Sequence, residues 1–122
     1  MTTDFYYIQR QEIKDDECYA LFYLDPGHAI FKGHFPGKPV LPGVCMIHVI
    51  KELFINAKGS DALLKTVQQV KFLEIIVPDE QTPLTLHMNW TMAGQNEWMV
   101  QAELKKEGKA FCKFKGIFSP VA

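Results

Sequence analysis

The sequence predicts an α+β fold in which an antiparallel sheet of about six strands wraps around one long buried helix. Two observations predict it. A single apolar segment follows a loop rich in proline and glycine, and alternating apolar and polar residues fill most of the remaining chain. The 122 residues suit one domain spanning 1–122. Because helix and sheet must each cover an apolar face, a sheet that curls around the single helix is the expected packing.

The N-terminal part of the chain predicts a β-hairpin. Tyr6–Lys14 and Glu17–Leu24 are rich in aromatic, aliphatic and β-branched residues, and the polar turn "KDDE" joins them. The segment "LDPGHAIFKGHFPGKPVLPG" follows, and its many proline and glycine residues indicate an irregular loop.

A helix is predicted from about Pro42. Proline and glycine open a helix well, since proline fixes φ and has no amide to leave unpaired. Val44–Phe54 is apolar on nearly every side until Lys51 and Glu52, which indicates a buried helix. The stop signals of "NAKGS" predict that the helix ends there.

The C-terminal half is strand-like. The run "TVQQVKFLEIIV" predicts one strand, and "LTLHMNWTM" alternates with a period of two, which predicts a half-buried strand. The turns "AGQN" and "KEGK" separate two further strands, the second containing "AFCKFKGIF". The residues predicted to face the core are Leu84, Leu86, Met88, Trp90, Met92, Trp98, Val100, Ala102 and Leu104.

Composition excludes several classes of function. The formal net charge is −1 and no basic block is present, so nucleic acid is not an expected partner. No run approaches the ~20 apolar residues of a membrane span. The first residues lack the pattern of a signal peptide. We therefore expect a cytoplasmic protein.

The three cysteines, Cys18, Cys45 and Cys112, are widely spaced, and no paired spacing typical of a metal site is present. We expect buried thiols in a reducing compartment, and neither a metal nor a cofactor. Cys45 keeps an alternative open, because a thiol near a helix N-terminus has a lowered pKa and can act as a nucleophile.

The stretch "GHFPGKPVLPGV" resembles the signature of the hotdog-fold 3-hydroxyacyl-(acyl-carrier-protein) dehydratases, a His-Phe-x-Gly-x-Pro-x-x-Pro-Gly loop that leads into a buried central helix. The segment "VKFLEIIVPDEQTPLTL" looks like the family's strand after that helix. The resemblance implies a hotdog fold and a homodimer or higher oligomer, with an active-site tunnel at the subunit interface. It also implies an acyl substrate linked to acyl carrier protein or coenzyme A.

The resemblance assigns His34 as the loop histidine, which acts as the base. The family has a helix carboxylate fourteen positions later, where this chain has His48. Glu52, one turn further, occupies a position where the family typically has glutamine. Either Glu52 accepts a hydrogen bond from His48 and lets it act as the acid, or Glu52 is itself the acid. In the plainer interpretation His48 is a buried histidine satisfied by a neighbour, with burial favouring its neutral form, and Glu52 marks where the helix reaches solvent.

The remaining site predictions follow from the same comparison. The amides of Gly43 and Val44, at the helix start, would point at the thioester carbonyl. The tunnel would be lined by Phe31, Phe35 and Phe72, and an acidic carrier would meet lysines at its mouth: Lys32, Lys38 or Lys71. His28 is expected to position the loop or lie at the surface, and His87 to be solvated.

Three functions remain open. The first is a dehydratase that converts a 3-hydroxyacyl thioester to the 2-enoyl thioester in fatty acid, specialised lipid or polyene biosynthesis. The second is a hotdog acyl thioesterase in which His48 and Glu52 activate water. The third is a non-catalytic acyl-binding subunit, whose partner supplies the missing carboxylate.

Overall fold

The computed structural model describes residues 5–31, 39–79 and 81–121. In these ranges it contains six strands, one α-helix and a short 3-10 helix at Ala29–Phe31. The helix α1 spans Gly43–Lys58. The strands are β1 Tyr6–Lys14, β2 Glu17–Leu24, β3 Ala62–Phe72, β4 Leu84–Met92, β5 Trp98–Lys106 and β6 Lys109–Pro120.

The six strands form one antiparallel sheet in the order β1-β2-β4-β5-β6-β3. Its inner face packs on the helix, and the core is made mainly of aliphatic and aromatic side chains from both: Phe22, Leu53, Phe54, Leu86, Met88, Leu104 and Phe118. The predicted α+β architecture is confirmed. The prediction that Met92 faces the core is wrong. Met92 belongs to the last residue pair of β4 and β5, and its side chain is exposed.

Strand β1 contains a bulge. Ile8 pairs with Phe22 and Arg10 pairs with Leu21, so Gln9 is an extra residue on β1. The bulge shifts the alternation by one, and both Tyr6 and the later Gln11 therefore face the helix side of the sheet.

Both ends of the helix lie where the sequence predicts them. Pro42 is the N-cap, with φ −63° and ψ 148°. Gly59 adopts a left-handed φ of 75°, and its amide donates to the carbonyl of Ile55 at 2.9 Å. Glycine suits this position because other residues reach positive φ only with strain. No helix in the described ranges is long and apolar enough to cross a membrane.

The prediction that the helix is buried on all sides is wrong for the single chain. One face, formed by Cys45, Met46, Val49, Ile50, Leu53 and Phe54, is buried against the sheet. The described residues cover the opposite face only in part: Val44 is 70% exposed and the His48 side chain is 37% exposed. The sheet of one chain curls around only one side of the helix, so apolar composition alone does not show what covers the other side.

Candidate active site

His48 and Glu52 lie together on the partly covered face of α1. They are four residues apart, which places their side chains one above the other on a helix. The distance from His48 Nε2 to Glu52 Oε1 is 3.2 Å, within ion-pair range, and the side chains are 37% and 23% exposed. The structure therefore brings together the two residues that the sequence left as alternative acids. The deep burial expected for His48 is not found in the single chain, where its side chain is 37% exposed.

Tyr6 completes this group. Its hydroxyl donates a hydrogen bond to Glu52 Oε1 at 2.5 Å, so two side chains converge on one carboxylate oxygen. We call Tyr6, Glu52 and His48 the helix-side trio. Sequence reasoning missed Tyr6, because its position at the start of a predicted hairpin says nothing about a helix 46 residues away.

Aromatic side chains surround the trio. The Phe5 ring lies 6.3 Å from the His48 ring and 6.2 Å from the Phe31 ring, measured between centroids. Phe31 is buried, so one residue predicted to line the tunnel lies near the trio without facing open space in the single chain. His28 Nδ1 accepts from the amide of Ile30 at 3.0 Å, which agrees with the expected loop-positioning role.

The start of the helix borders an apolar cleft of about 420 Å³. The Phe72 ring lies so close to Gly43 that a Cβ added there would be 2.7 Å from Phe72 Cζ. The first amides of any helix lack an acceptor within it, and those of Gly43 and Val44 are the first amides of α1. The cleft is lined by Val40, Leu41, Pro42, Gly43, Met46, Phe72, Glu74 and Ile75. A predicted tunnel residue and a predicted donor thus share one cleft.

Two predicted site residues, His34 and Phe35, lie outside the described residues, as do Lys32 and Lys38. Their predicted roles as base, tunnel wall and carrier contacts stay predictions. Lys71, the third lysine, is exposed near the end of β3.

The alternative role of Cys45 as a nucleophile is contradicted. Cys45 is buried, and burial raises the pKa of its thiol, whereas a nucleophile needs a lowered pKa and access to substrate. Burial likewise raises the pKa of Cys18, and that of Cys112 to about 11. In the described parts of the chain, no three histidine, cysteine or acidic side chains are grouped as metal ligands would be.

A second group with the same residue types lies on the outer face of the sheet. Glu17 Oε1 accepts from the Tyr19 hydroxyl at 3.0 Å and lies 2.7 Å from His87 Nε2. We call Glu17, Tyr19 and His87 the outer-face trio. The bond to His87 and that to Tyr19 hold the pKa of Glu17 below its ordinary value, while Glu17 raises the pKa of Tyr19. His87 is only partly solvated, and the expectation that it would be simply solvated is incomplete.

Comparison with known protein families identifies the family to which this chain belongs. The sequence model of the ApeI-like family, described as ApeI dehydratase, matches residues 9–115. The chain belongs to this dehydratase family. The match includes the proline-rich loop and the whole of α1, and it confirms the resemblance to hotdog dehydratases.

Curated relatives agree with this assignment. The 3-hydroxyacyl-(acyl-carrier-protein) dehydratase FabZ of Lactobacillus helveticus is 33% identical over 108 residues, covering 73% of this chain and 72% of that protein. The FabZ proteins of Rickettsia canadensis and Clostridium acetobutylicum are 30% and 35% identical, over 65% and 48% of this chain. These two matches span only 59% and 47% of the relatives' own lengths.

Solved structures show the same fold. The dehydratase heterocomplex ApeI:P from Xenorhabdus doucetiae contains a chain that superposes with a TM-score of 0.75 at 24% identity, covering 93% of this chain and 96% of that one. A hypothetical thioesterase protein with coenzyme A from Streptococcus pneumoniae superposes with a TM-score of 0.68 at 13% identity, covering 96% and 89%. The predicted hotdog fold is confirmed, and at these identities the likeness concerns the fold alone.

Proposed function

We propose that this protein removes water from a 3-hydroxyacyl thioester to give the 2-enoyl thioester. The substrate is carried on acyl carrier protein or coenzyme A, and the reaction serves fatty acid, specialised lipid or polyene biosynthesis in the cytoplasm. One observation supports this most strongly: the dehydratase family match over residues 9–115 includes both the His34 loop and the helix that presents His48 and Glu52.

The elimination needs a base and an acid. His34, whose unperturbed pKa of about 6.5 suits neutral pH, takes the proton from C2 of the substrate. The electron pair left on C2 forms the double bond to C3 as the bond from C3 to the hydroxyl oxygen breaks. The departing hydroxyl receives a proton from the acid and leaves as water.

The helix-side trio supports His48 as the acid, with Glu52 behind it. Glu52 lies 3.2 Å from His48 Nε2, and an ionised carboxylate only accepts hydrogen bonds. Nε2 then carries a hydrogen toward Glu52, so His48 acts as the acid when Nδ1 carries a second proton, which Nδ1 gives to the departing hydroxyl. The opposite assignment, with Glu52 as the acid, predicts that His48→Gln retains more activity than Glu52→Gln.

The helix start supplies the third part. The amides of Gly43 and Val44 stabilise negative charge on the thioester carbonyl oxygen as the C2 proton leaves. The apolar cleft beside Gly43 accepts part of the acyl chain against Phe72. Phe31 and Phe35 line the remainder of the tunnel.

We also propose that the protein is a homodimer or a larger oligomer. The partly covered helix face and the edge strand β3 both expose apolar side chains, among them Val44, Leu63 and Val67. A second subunit would cover these and would bring its own loop histidine to the site. Lys32, Lys38 and Lys71 would receive the acidic carrier.

The direct test incubates the protein with a 3-hydroxyacyl group on acyl carrier protein and follows the acyl product by mass spectrometry. Loss of one water, giving the 2-enoyl thioester, is expected, and His34→Ala should abolish it. Absence of enoyl product across short and long acyl chains, on carrier protein and on coenzyme A, would overturn the proposal. Substantial activity in His34→Ala would overturn the assignment of the base.

A second function is favoured by one observation. A histidine paired with a carboxylate, on a helix whose first residue lines an apolar cleft, also suits activation of water for thioester hydrolysis. Release of free acid in the same assay would identify a thioesterase. Neither product, together with tight binding of the acyl carrier, would identify a non-catalytic acyl-binding subunit.

A further inference from the structure

The Tyr6 hydroxyl contacts the proposed acid machinery at Glu52. We propose that Tyr6 is a positioning residue: its hydroxyl fixes the Glu52 carboxylate, and through it the tautomer and orientation of His48. The kinetic part of this inference rests on the proposed dehydratase function, whereas the part that concerns the His48 tautomer does not.

Both contacts of Glu52 are made by the same oxygen. The Tyr6 hydroxyl lies 2.5 Å from Oε1 and His48 Nε2 lies 3.2 Å from it. Because an ionised carboxylate has only acceptors, the Tyr6 hydroxyl is the donor in this contact. Hydrogen bonds to an ionised partner are stronger than neutral ones, so Tyr6 holds the carboxylate in one rotamer.

Tyr6 is itself held rigidly. It is 7% exposed, and its ring packs against Phe22 at 5.5 Å and Phe5 at 5.2 Å between centroids. It lies in the first residue pair of the hairpin, opposite Leu24. Glu52 lies in the middle of a 16-residue helix. A donor and an acceptor on two packed elements can fix a third group within the narrow tolerance that proton transfer requires.

The consequence falls on His48. Its Nε2 faces the fixed oxygen, so the neutral ring is held as the tautomer with hydrogen on Nε2. Nδ1 is then the atom that takes up the proton later given to the departing hydroxyl. Without the Tyr6 hydroxyl, the partly exposed Glu52 side chain gains rotamers, and His48 loses the partner that selects its tautomer.

The kinetic test is a double-mutant cycle of Tyr6→Phe and Glu52→Gln. Tyr6→Phe keeps the packed ring and removes only the hydroxyl. We expect kcat to fall about tenfold with KM within about twofold, since one hydrogen bond to a charged group is lost. If Tyr6 acts through Glu52, the double variant should be no slower than Glu52→Gln alone.

The matched control is Tyr7→Phe. Tyr7 is the next residue of β1, but its ring stacks on Tyr23 on the opposite face of the sheet. The kcat of Tyr7→Phe should stay within about twofold of the wild-type value, since no hydrogen bond to the helix-side trio is lost. Unchanged kcat in Tyr6→Phe, or losses that multiply in the double variant, would overturn the proposal.

The second measurement needs no substrate. Ring ¹⁵N chemical shifts of labelled protein report the tautomer of each neutral histidine, with the His48 signal assigned by its loss in His48→Gln. The wild type should show His48 protonated on Nε2, and Tyr6→Phe should show a mixture, while His87 on the outer face stays unchanged. An unchanged His48 tautomer in Tyr6→Phe would overturn the inference, even if the protein turns over no thioester and the proposed function fails.

Discussion

The helix-side trio and the outer-face trio contain the same three residue types in the same bonding pattern. In each, a tyrosine hydroxyl and a histidine Nε2 converge on Oε1 of one glutamate. A tyrosine, a glutamate and a histidine in contact therefore do not identify an active site in this molecule. The surroundings of the two groups must do so.

Those surroundings differ in the burial of the tyrosine and in the ring that lies against the imidazole. Tyr6 is 7% exposed and Tyr19 is 51% exposed. Tyr19 also stacks flat on His87, with ring centroids 4.3 Å apart, and so covers one face of that imidazole. Among the described residues, the tilted Phe5 ring lies 6.3 Å from the His48 ring, and His48 lies on the helix whose first residue, Gly43, lines the apolar cleft. The two imidazole side chains are about equally exposed, at 37% for His48 and 39% for His87. The buried tyrosine donor is therefore what sets the helix-side trio apart.

Replacing the glutamate of each trio by glutamine is the most direct test of whether the two trios differ in function. Glu52→Gln should lower kcat about 100-fold, the usual effect of disabling a general acid or the group that orients it. Glu17→Gln should leave kcat within about twofold, because it is remote from the helix. The measurement is steady-state formation of the enoyl product. Equal losses in the two variants would remove the distinction between the two trios.

Gly43→Ala tests the packing at the start of α1. The added methyl group would lie 2.7 Å from Phe72 Cζ, so the ring must move out of its place beside the helix start. We expect a loss of about 2 kcal/mol in the free energy of unfolding, typical of overpacking, measured by urea denaturation.

Phe72→Leu provides the control for this substitution. The double variant Gly43→Ala/Phe72→Leu should recover part of the lost stability, because the smaller side chain makes room for the methyl group. If Gly43→Ala is as stable as the wild type, the close approach of Phe72 to the helix start is wrong.

The outer-face trio should affect how the free energy of unfolding changes with pH in the acid range. The pKa of Glu17 is lowered from its ordinary value of 4.5, first by the hydrogen bond to His87 and then by that to Tyr19. A lowered folded-state pKa stabilises the fold above the unfolded value and ceases to do so as pH falls through the folded value. The stability difference between wild type and Glu17→Gln should therefore shrink below pH 4.5. Urea denaturation at several pH values measures it, and a difference that grows below that pH would contradict the assignment.

The smallest effect is expected from Tyr19→Phe. Its hydroxyl is exposed and can exchange its bond with water, so the free energy of unfolding should change less than in any other variant named here. Thermal denaturation of Tyr19→Phe and Tyr6→Phe side by side completes the comparison. Tyr6→Phe should lose more stability, because the Tyr6 hydroxyl is buried. A larger loss in Tyr19→Phe would show that exposure does not separate the two groups.

Most of the fold could be predicted from local patterns. The alternation of "LTLHMNWTM", the stop at "NAKGS" and the polar hairpin turn are all properties of neighbouring residues, and they locate β4, the end of α1 and the first hairpin. The contact of Tyr6 with Glu52 could not be found this way, because it depends on how a strand and a helix 46 residues apart are packed. The exposure of Val44 was missed for a related reason: an apolar side chain does not by itself show whether the chain's own sheet covers it.

The bulge at Gln9 gives the site an adjustment that lies outside it. Ile8 already pairs with Phe22 and Arg10 with Leu21, so deleting Gln9 would leave every cross-strand partner, including that of Tyr6, unchanged. The twist of β1 would change instead, because a bulge adds local right-handed twist. The reach of the Tyr6 hydroxyl could then be tuned by shortening the backbone three residues away, with no substitution in any side chain of the trio.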